Sequence, residues 1–198
     1  MELTRVFTAL GLLGYLMVSC NQPMQSEDYI QWIRDYRNGL HVKQRTGGFE
    51  FDVQYQPADY LRLQRKQSGG LSKAGNQGHE DGLELMQYYT LAIGLSTGDT
   101  DLLDHGTEDM ESRQRRLYYF SYHFQYDIVL EEGNRRLPCV LFHFEKPADL
   151  QGRRTFLLGF ERYESDAEEA KLIIDSSQFG SLPVHIRVLK DKIPEVTL

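Results

Sequence analysis

The sequence predicts a mainly β (α+β) fold: an antiparallel, sandwich-like domain with an N-terminal helix and a second short helix. Three observations carry this. Phe49 to Tyr55 alternates apolar and polar residues strictly, as a half-buried strand does. Phe120, Tyr122, Phe124, Tyr126, Ile128 and Leu130 repeat that spacing further on. Turn formers such as Gly47-Gly48, Gly133-Asn134 and Pro147 separate the apolar runs. About five to seven short strands at this spacing suit antiparallel sheets packed face to face.

The elements follow in order. Ser26 is placed to cap a helix from Glu27 to Asn38, with Glu27 and Asp28 in its first turn and Gly39 just past its end. Tyr29, Trp32, Ile33 and Tyr36 share one face, with Leu40 a turn on, so this helix should lie on the core and bury its tryptophan. Phe49 to Tyr55 is the first strand. Pro57 ends it and opens a short helix to about Gln67. Gln67 to Gly82 is glycine-rich, lacks an apolar cluster and reads as a loop. From Leu83 to Leu95 the apolar residues fall at odd positions, broken only by Gln87, which fits a strand better than a helix.

Thr97 to Arg116 reads as a second polar loop, acidic and then basic. Leu117 to Leu130 is expected to be the strongest strand, with Phe120, Tyr122, Phe124 and Tyr126 on its core side and Tyr119, Ser121, His123 and Gln125 on the other. Glu131 to Arg136 is a hairpin turn around Gly133-Asn134, and Leu137 to Glu145 is the returning strand. Pro147 to Arg153 turns into a strand over Thr155 to Glu161. Leu172 to Asp175 and Val184 to Leu189 supply two more.

The first residues carry a different signal. Arg5 gives a small positive start, partly offset by Glu2, and Val6 to Val18 contains no charged residue. That run suits the apolar region of a secretory signal and is short for a membrane span, which needs about 20 apolar residues. It ends in Met17-Val18-Ser19-Cys20. These four residues resemble the lipobox of bacterial lipoproteins, a family that usually has Leu where this chain has Met17. The resemblance implies cleavage before Cys20, diacylation of the Cys20 thiol and acylation of the new amino terminus. It also implies, from Asn21 rather than Asp after the cysteine, a place at the outer membrane of a Gram-negative bacterium. Gln22-Pro23-Met24-Gln25 lacks an acidic export tag, so the periplasmic face is expected. The mature domain resembles small uncharacterised outer-membrane lipoproteins. The layout is then a signal peptide over 1–19, a tether over 20–25 and one globular domain over 26–198. Several acyl chains make a firm anchor, since each buried CH₂ contributes about 0.8 kcal/mol and a single chain binds only marginally.

Composition sets further bounds. The net charge of −7 excludes a globally basic nucleic-acid footprint, and leaves membrane contact to the lipid rather than to charge. Of the two cysteines, acylation of Cys20 leaves Cys139 alone, so no intramolecular disulfide is expected. Cys139 sits in the apolar run Leu137-Pro138-Cys139-Val140-Leu141-Phe142 and reads as a buried, inert thiol.

Candidate chemistry is sparse. Asp99-Thr100-Asp101-Leu102-Leu103-Asp104 suggests a calcium loop but fails the EF-hand pattern, because Leu103 and Asp104 stand where a ligand and Gly are needed. Cys139 and His143 would lie about 13 Å apart on one strand, too far to share a zinc ion. An equal-length hairpin would pair Phe124 with His143 and put His123 on the opposite face. His79-Glu80-Asp81 lies in the glycine-rich loop, where an acid–base pair is poorly positioned. No cofactor, metal site or catalytic residue is expected. The dense aromatic stretch offers a binding platform in Tyr118, Tyr119, Tyr122 and Tyr126, against the alternative that both its faces are covered. The expectation is a lipid-anchored accessory protein with an interaction or scaffold role, its partner an envelope protein or glycan. The alternatives are a small-ligand or glycan binder using the aromatic sheet, and an unrecognised hydrolase.

Overall fold

A computed structural model describes residues 23–68, 81–145 and 152–198. In chain order it contains α1 (Ser26–Arg34), β1 (His41–Thr46), β2 (Phe49–Gln56), α2 (Ala58–Gln67), β3 (Met86–Leu95) and α3 (Met110–Tyr118). There follow β4 (Ile128–Glu132), β5 (Arg135–Pro138), β6 (Leu141–Phe144), β7 (Arg154–Glu161), β8 (Glu169–Ile174) and β9 (Val184–Leu189). A five-stranded sheet runs β1-β2-β3-β7-β6 and a four-stranded sheet runs β5-β4-β8-β9. All the pairings are antiparallel. Alternation supplies the core: Phe51, Val53, Leu91, Ile93, Phe156 and Leu158 from one sheet join Leu130, Leu172, Ile174, Ile186 and Val188 from the other. This is the mainly β, sandwich-like class the sequence predicts.

The N-terminal helix is shorter than its apolar pattern suggests. It ends at Arg34 because Asp35 is extended and its side chain accepts the Arg37 backbone N–H, which starts a separate 3-10 turn over Tyr36–Asn38. Gly39, with φ of 79°, closes that turn. Tyr29, Ile30, Ile33 and Leu40 are buried, whereas Trp32 is only half-buried and Tyr36 is exposed. Ser26 does not cap the helix; its hydroxyl donates to the Thr197 carbonyl at 3.1 Å. With it, Met24 N–H donates to Glu195 O at 2.8 Å and Thr197 N–H donates to Met24 O at 3.1 Å. The described chain thus begins clasped to its own C-terminal segment.

Strand β1 is absent from the pattern because it is a polar edge, with only Val42 apolar. It is joined to β2 through Gly47-Gly48, both at positive φ as a two-residue hairpin turn demands. A Cβ at Gly47 would also meet the Phe179 carbonyl oxygen at 2.7 Å.

Three expectations fail in the middle of the chain. The stretch expected as the strongest strand is helical up to Asp127: α3 runs to Tyr118, a π-turn covers Tyr119–His123, and a 3-10 turn covers Phe124–Asp127. Only from Ile128 is it a strand. Alternation over 118–126 is equally a period of four, and the chain uses it that way. Phe120 and Phe124 point into the core together, their rings 5.3 Å apart and T-shaped, against Phe156 and Phe179. Second, the polar segment before it holds α3, opened by a reciprocal capping box between Asp109 and Ser112. Third, the returning strand is two strands. β5 pairs with β4 up to Val129↔Pro138, the chain kinks at Cys139-Val140, and β6 joins the other sheet. His143 therefore pairs with Leu157, not Phe124.

Candidate functional site

The four tyrosines of the proposed platform separate. Tyr118, Tyr122 and Tyr126 are 58%, 63% and 74% exposed, one in the last turn of α3, one in the π-turn and one in the 3-10 turn. Tyr118 packs on Tyr122 at 5.1 Å between ring centroids and on His123 at 5.2 Å. Tyr119 turns inward instead. Its hydroxyl donates to Asp127 and also bonds Ser176, and burial together with that carboxylate pushes its phenol well above the usual tyrosine range. Behind the ridge, Phe120 and Phe124 fix the segment to the core, so the exposed rings stand on a rigid support.

A second site lies where the start of β3 and the ends of β4 and β9 meet. A cavity of about 700 Å³ opens there, within the size range of small-molecule sites. Its floor is a hydrogen-bonded triad. Lys190 Nζ donates to Gln87 Oε1 at 2.8 Å and to Glu132 Oε1, while Gln87 Nε2 donates to Glu132 Oε2 at 2.7 Å. The Lys190 and Glu132 side chains are 11% and 4% exposed, so each charge is compensated by the other rather than by water. The Tyr55 ring lies 5.0 Å from Lys190 Nζ. Burial pulls the Lys190 ammonium below its ordinary range, and the Glu132 carboxylate opposes that pull. Burial also pushes the neighbouring phenols of Tyr89 and Tyr55 up.

At the rim, Glu84 bridges Arg62 at 2.6 Å and Arg162 at 2.9 Å. The segment after β7 completes the wall, held by the Tyr163 hydroxyl, which donates to the Glu132 carbonyl, and by Arg135 stacked 4.3 Å over the Tyr163 ring. Sequence reasoning missed this cavity. The one trace of it was Gln87, the polar residue that interrupts the alternation of β3: it occupies a core position and is buried because the triad satisfies its amide.

The other candidates resolve individually. Asp101 accepts the Leu103 N–H at 2.8 Å and pairs with Arg154, and Asp104 pairs with Arg113, so two acids of the calcium-like stretch are bound to arginines. Cys139 is buried, its Sγ–H donates to Leu141 O at 3.1 Å, and burial raises its thiol to about 11, which keeps it a protonated, poor nucleophile. Among the described residues no three His, Cys, Asp or Glu side chains converge as a metal site needs. Cys20, His79 and Glu80 lie outside the described residues. Among the described residues no helix is long and apolar enough to cross a membrane.

No family model and no curated protein matches the chain. Two solved structures show similarity at 9% identity. A DUF4426 family protein from Pseudomonas aeruginosa PAO1 aligns over 79% of this chain and 97% of its own, with a TM-score of 0.35. A novel protein of unknown function from Burkholderia pseudomallei K96243 aligns over 88% of this chain and 94% of its own, with a TM-score of 0.39. Similarity at that level bears on neither family nor activity.

Proposed function

We propose that this chain is a lipid-anchored accessory protein of a Gram-negative outer membrane, facing the periplasm, which recognises an envelope partner through its tyrosine ridge. The observation that carries the recognition role is the exposure of Tyr118, Tyr122 and Tyr126, the first two with their rings in contact, on a segment locked to the core by Phe120 and Phe124. Tyrosine on a rigid support is a favoured anchor at interfaces, since it contributes contact area with little rotamer entropy to lose. The anchor reading is supported by Val6 to Val18 and the Ser19-Cys20 junction. It is consistent with the clasp of Met24 to Glu195, which lets only a few residues separate Cys20 from the folded domain.

Both halves can be tested in cells. Palmitate label should enter the wild-type chain and not Cys20→Ser; label retained in Cys20→Ser, with the protein still in the membrane fraction, defeats the anchor. A photo-crosslinking residue at position 122 should give a discrete adduct, and one at exposed Leu182 should not. Equal adducts from both positions defeat the ridge.

A further inference from the structure

We propose that the cavity over Lys190 binds an uncharged sugar, received by the hydroxyl of Tyr55 and the unspent N–H of Lys190. Both groups are left over by the fold. Tyr55 is only 7% exposed, yet its hydroxyl bonds no described residue. Among the described residues, the one unpaired side-chain polar atom closed off from solvent is Nη2 of Arg116. The Tyr55 oxygen is therefore open, and the space that Tyr55 lines is this cavity. Burial pushes its phenol up, and the charges that act on it, those of Arg162, Glu132 and Glu84, all line the same cavity. Beside it, Lys190 has three N–H bonds to give and spends two, on Gln87 and Glu132.

Charge selects neither an anion nor a cation. Glu132 is answered by Lys190. Glu84 is answered twice, by Arg62 and by Arg162, and Arg135 adds a further cation over the Tyr163 ring. That surplus offsets Glu164 and Asp166, the remaining acids of the lining. At the floor itself, a carboxylate brought to Lys190 would meet the carboxylate of Glu132, and an ammonium brought to Glu132 would meet Lys190. The two free donors therefore suit an oxygen acceptor without charge.

The lining narrows the class further. Only Leu85, Ala167 and Ile193 in it are aliphatic. An apolar ligand would strip water from the polar groups and return no hydrogen bonds. An amide or ester gathers its acceptor strength in one carbonyl. A sugar carries a hydroxyl on almost every carbon, and each can accept two hydrogen bonds while giving one. It can accept from Tyr55 and Lys190 at the floor and still exchange bonds with the polar walls. A volume of about 700 Å³ holds a small molecule of the size of a mono- or disaccharide. None of this rests on the tyrosine ridge or on the lipid anchor.

The test uses the full-length chain in sugar-free detergent micelles, with binding read by saturation-transfer NMR. The probes are glucose, galactose, mannose and N-acetylglucosamine. At least one should bind saturably, and glucuronate and glucosamine should bind at least about tenfold more weakly than the best of them. Tyr55→Phe keeps the ring and removes only the unpaired hydroxyl. It should weaken that sugar about five- to tenfold while the melting temperature stays within about 2 °C of wild type. A purely structural hydroxyl would move the second reading and not the first. Tyr122→Ser should leave the affinity unchanged. A disaccharide of the preferred sugar bound as tightly as the monosaccharide supports a glycan end as the source, and a monosaccharide bound alone supports a free sugar. No saturable binding of any neutral sugar, equal binding of the charged ones, or full affinity in Tyr55→Phe overturns the site. Loss of binding in Tyr122→Ser also overturns it, by moving the sugar to the ridge.

Discussion

The tyrosine ridge and the triad floor place polar and aromatic groups in opposite ways. At the ridge, structure and the proposed recognition role fall to different side chains of one segment: Phe120 and Phe124 are buried, Tyr118, Tyr122 and Tyr126 are exposed, and the exposed rings make few demands on the fold. At the floor the same side chains serve both ends. Lys190, Glu132 and Gln87 tie β9, β4 and β3 together while forming the base of the cavity, so none can be removed without leaving a buried charge or amide unpaired. A convex site can change without loss of stability, and this concave one cannot.

The largest effect that sharpens this contrast is expected behind the ridge. Phe124→Ala removes a fully buried ring in contact with Phe120, Phe142, Phe156 and Phe179. It should cost about 3–5 kcal/mol, a large share of a domain's total, and lower the melting temperature by about 10 °C. A fall under about 2 °C by calorimetry would mean that Phe124 is not core. Next comes the floor. Lys190→Met leaves Glu132 buried without its cation and should cost about 3 kcal/mol, while Lys190→Met with Glu132→Leu should recover part of that, since the buried charge is gone although the Gln87 amide loses both partners. If the double variant is no more stable than the single one in urea titration, the pair does not act as a unit.

A smaller effect concerns acid. Burial pushes the Asp52 carboxyl up, but hydrogen bonds from His41 at 2.6 Å and Tyr36 at 2.8 Å, with the charges of His41 and Lys43, outweigh it and hold Asp52 below its ordinary value. Glu50 is likewise held low, its burial outweighed by Arg45, Lys43 and Arg153. A depressed carboxyl contributes stability that is present above its unfolded value, near 3.9 for Asp, and is lost as pH falls through the folded one. Melting temperature should therefore drop below about pH 4, and Asp52→Asn should lower it at pH 7 while flattening that drop. An identical profile for the variant would remove Asp52 from the acid response.

The contrast also explains what could be read in advance. Strands β2, β3 and β9 and the Gly133-Asn134 hairpin were legible because one face of each is apolar and its period is two, which only a strand satisfies. Residues 118–126 mislead because tyrosine reads as core as readily as phenylalanine does. In β3 the odd positions 87, 89, 91 and 93 are all buried, which no helix face can do. In the aromatic stretch only the phenylalanines at 120 and 124 are, and that spacing is helical. The break at Cys139-Val140 carries no sequence period, since it depends on which sheet β6 joins. The triad was illegible because its members lie far apart in the chain and meet only through the sheet topology.

The most direct test of the division across the ridge is Tyr118→Ser, Tyr122→Ser and Tyr126→Ser combined, compared with wild type in two readings. Surface changes of this kind should leave stability within about 1 kcal/mol in total. The melting temperature should thus stay within about 3 °C of wild type, while crosslinking to the envelope partner from a probe at position 123 disappears. A folded triple variant that still crosslinks as wild type does would contradict recognition by the ridge, and a triple variant that unfolds would contradict the separation of its buried from its exposed rings.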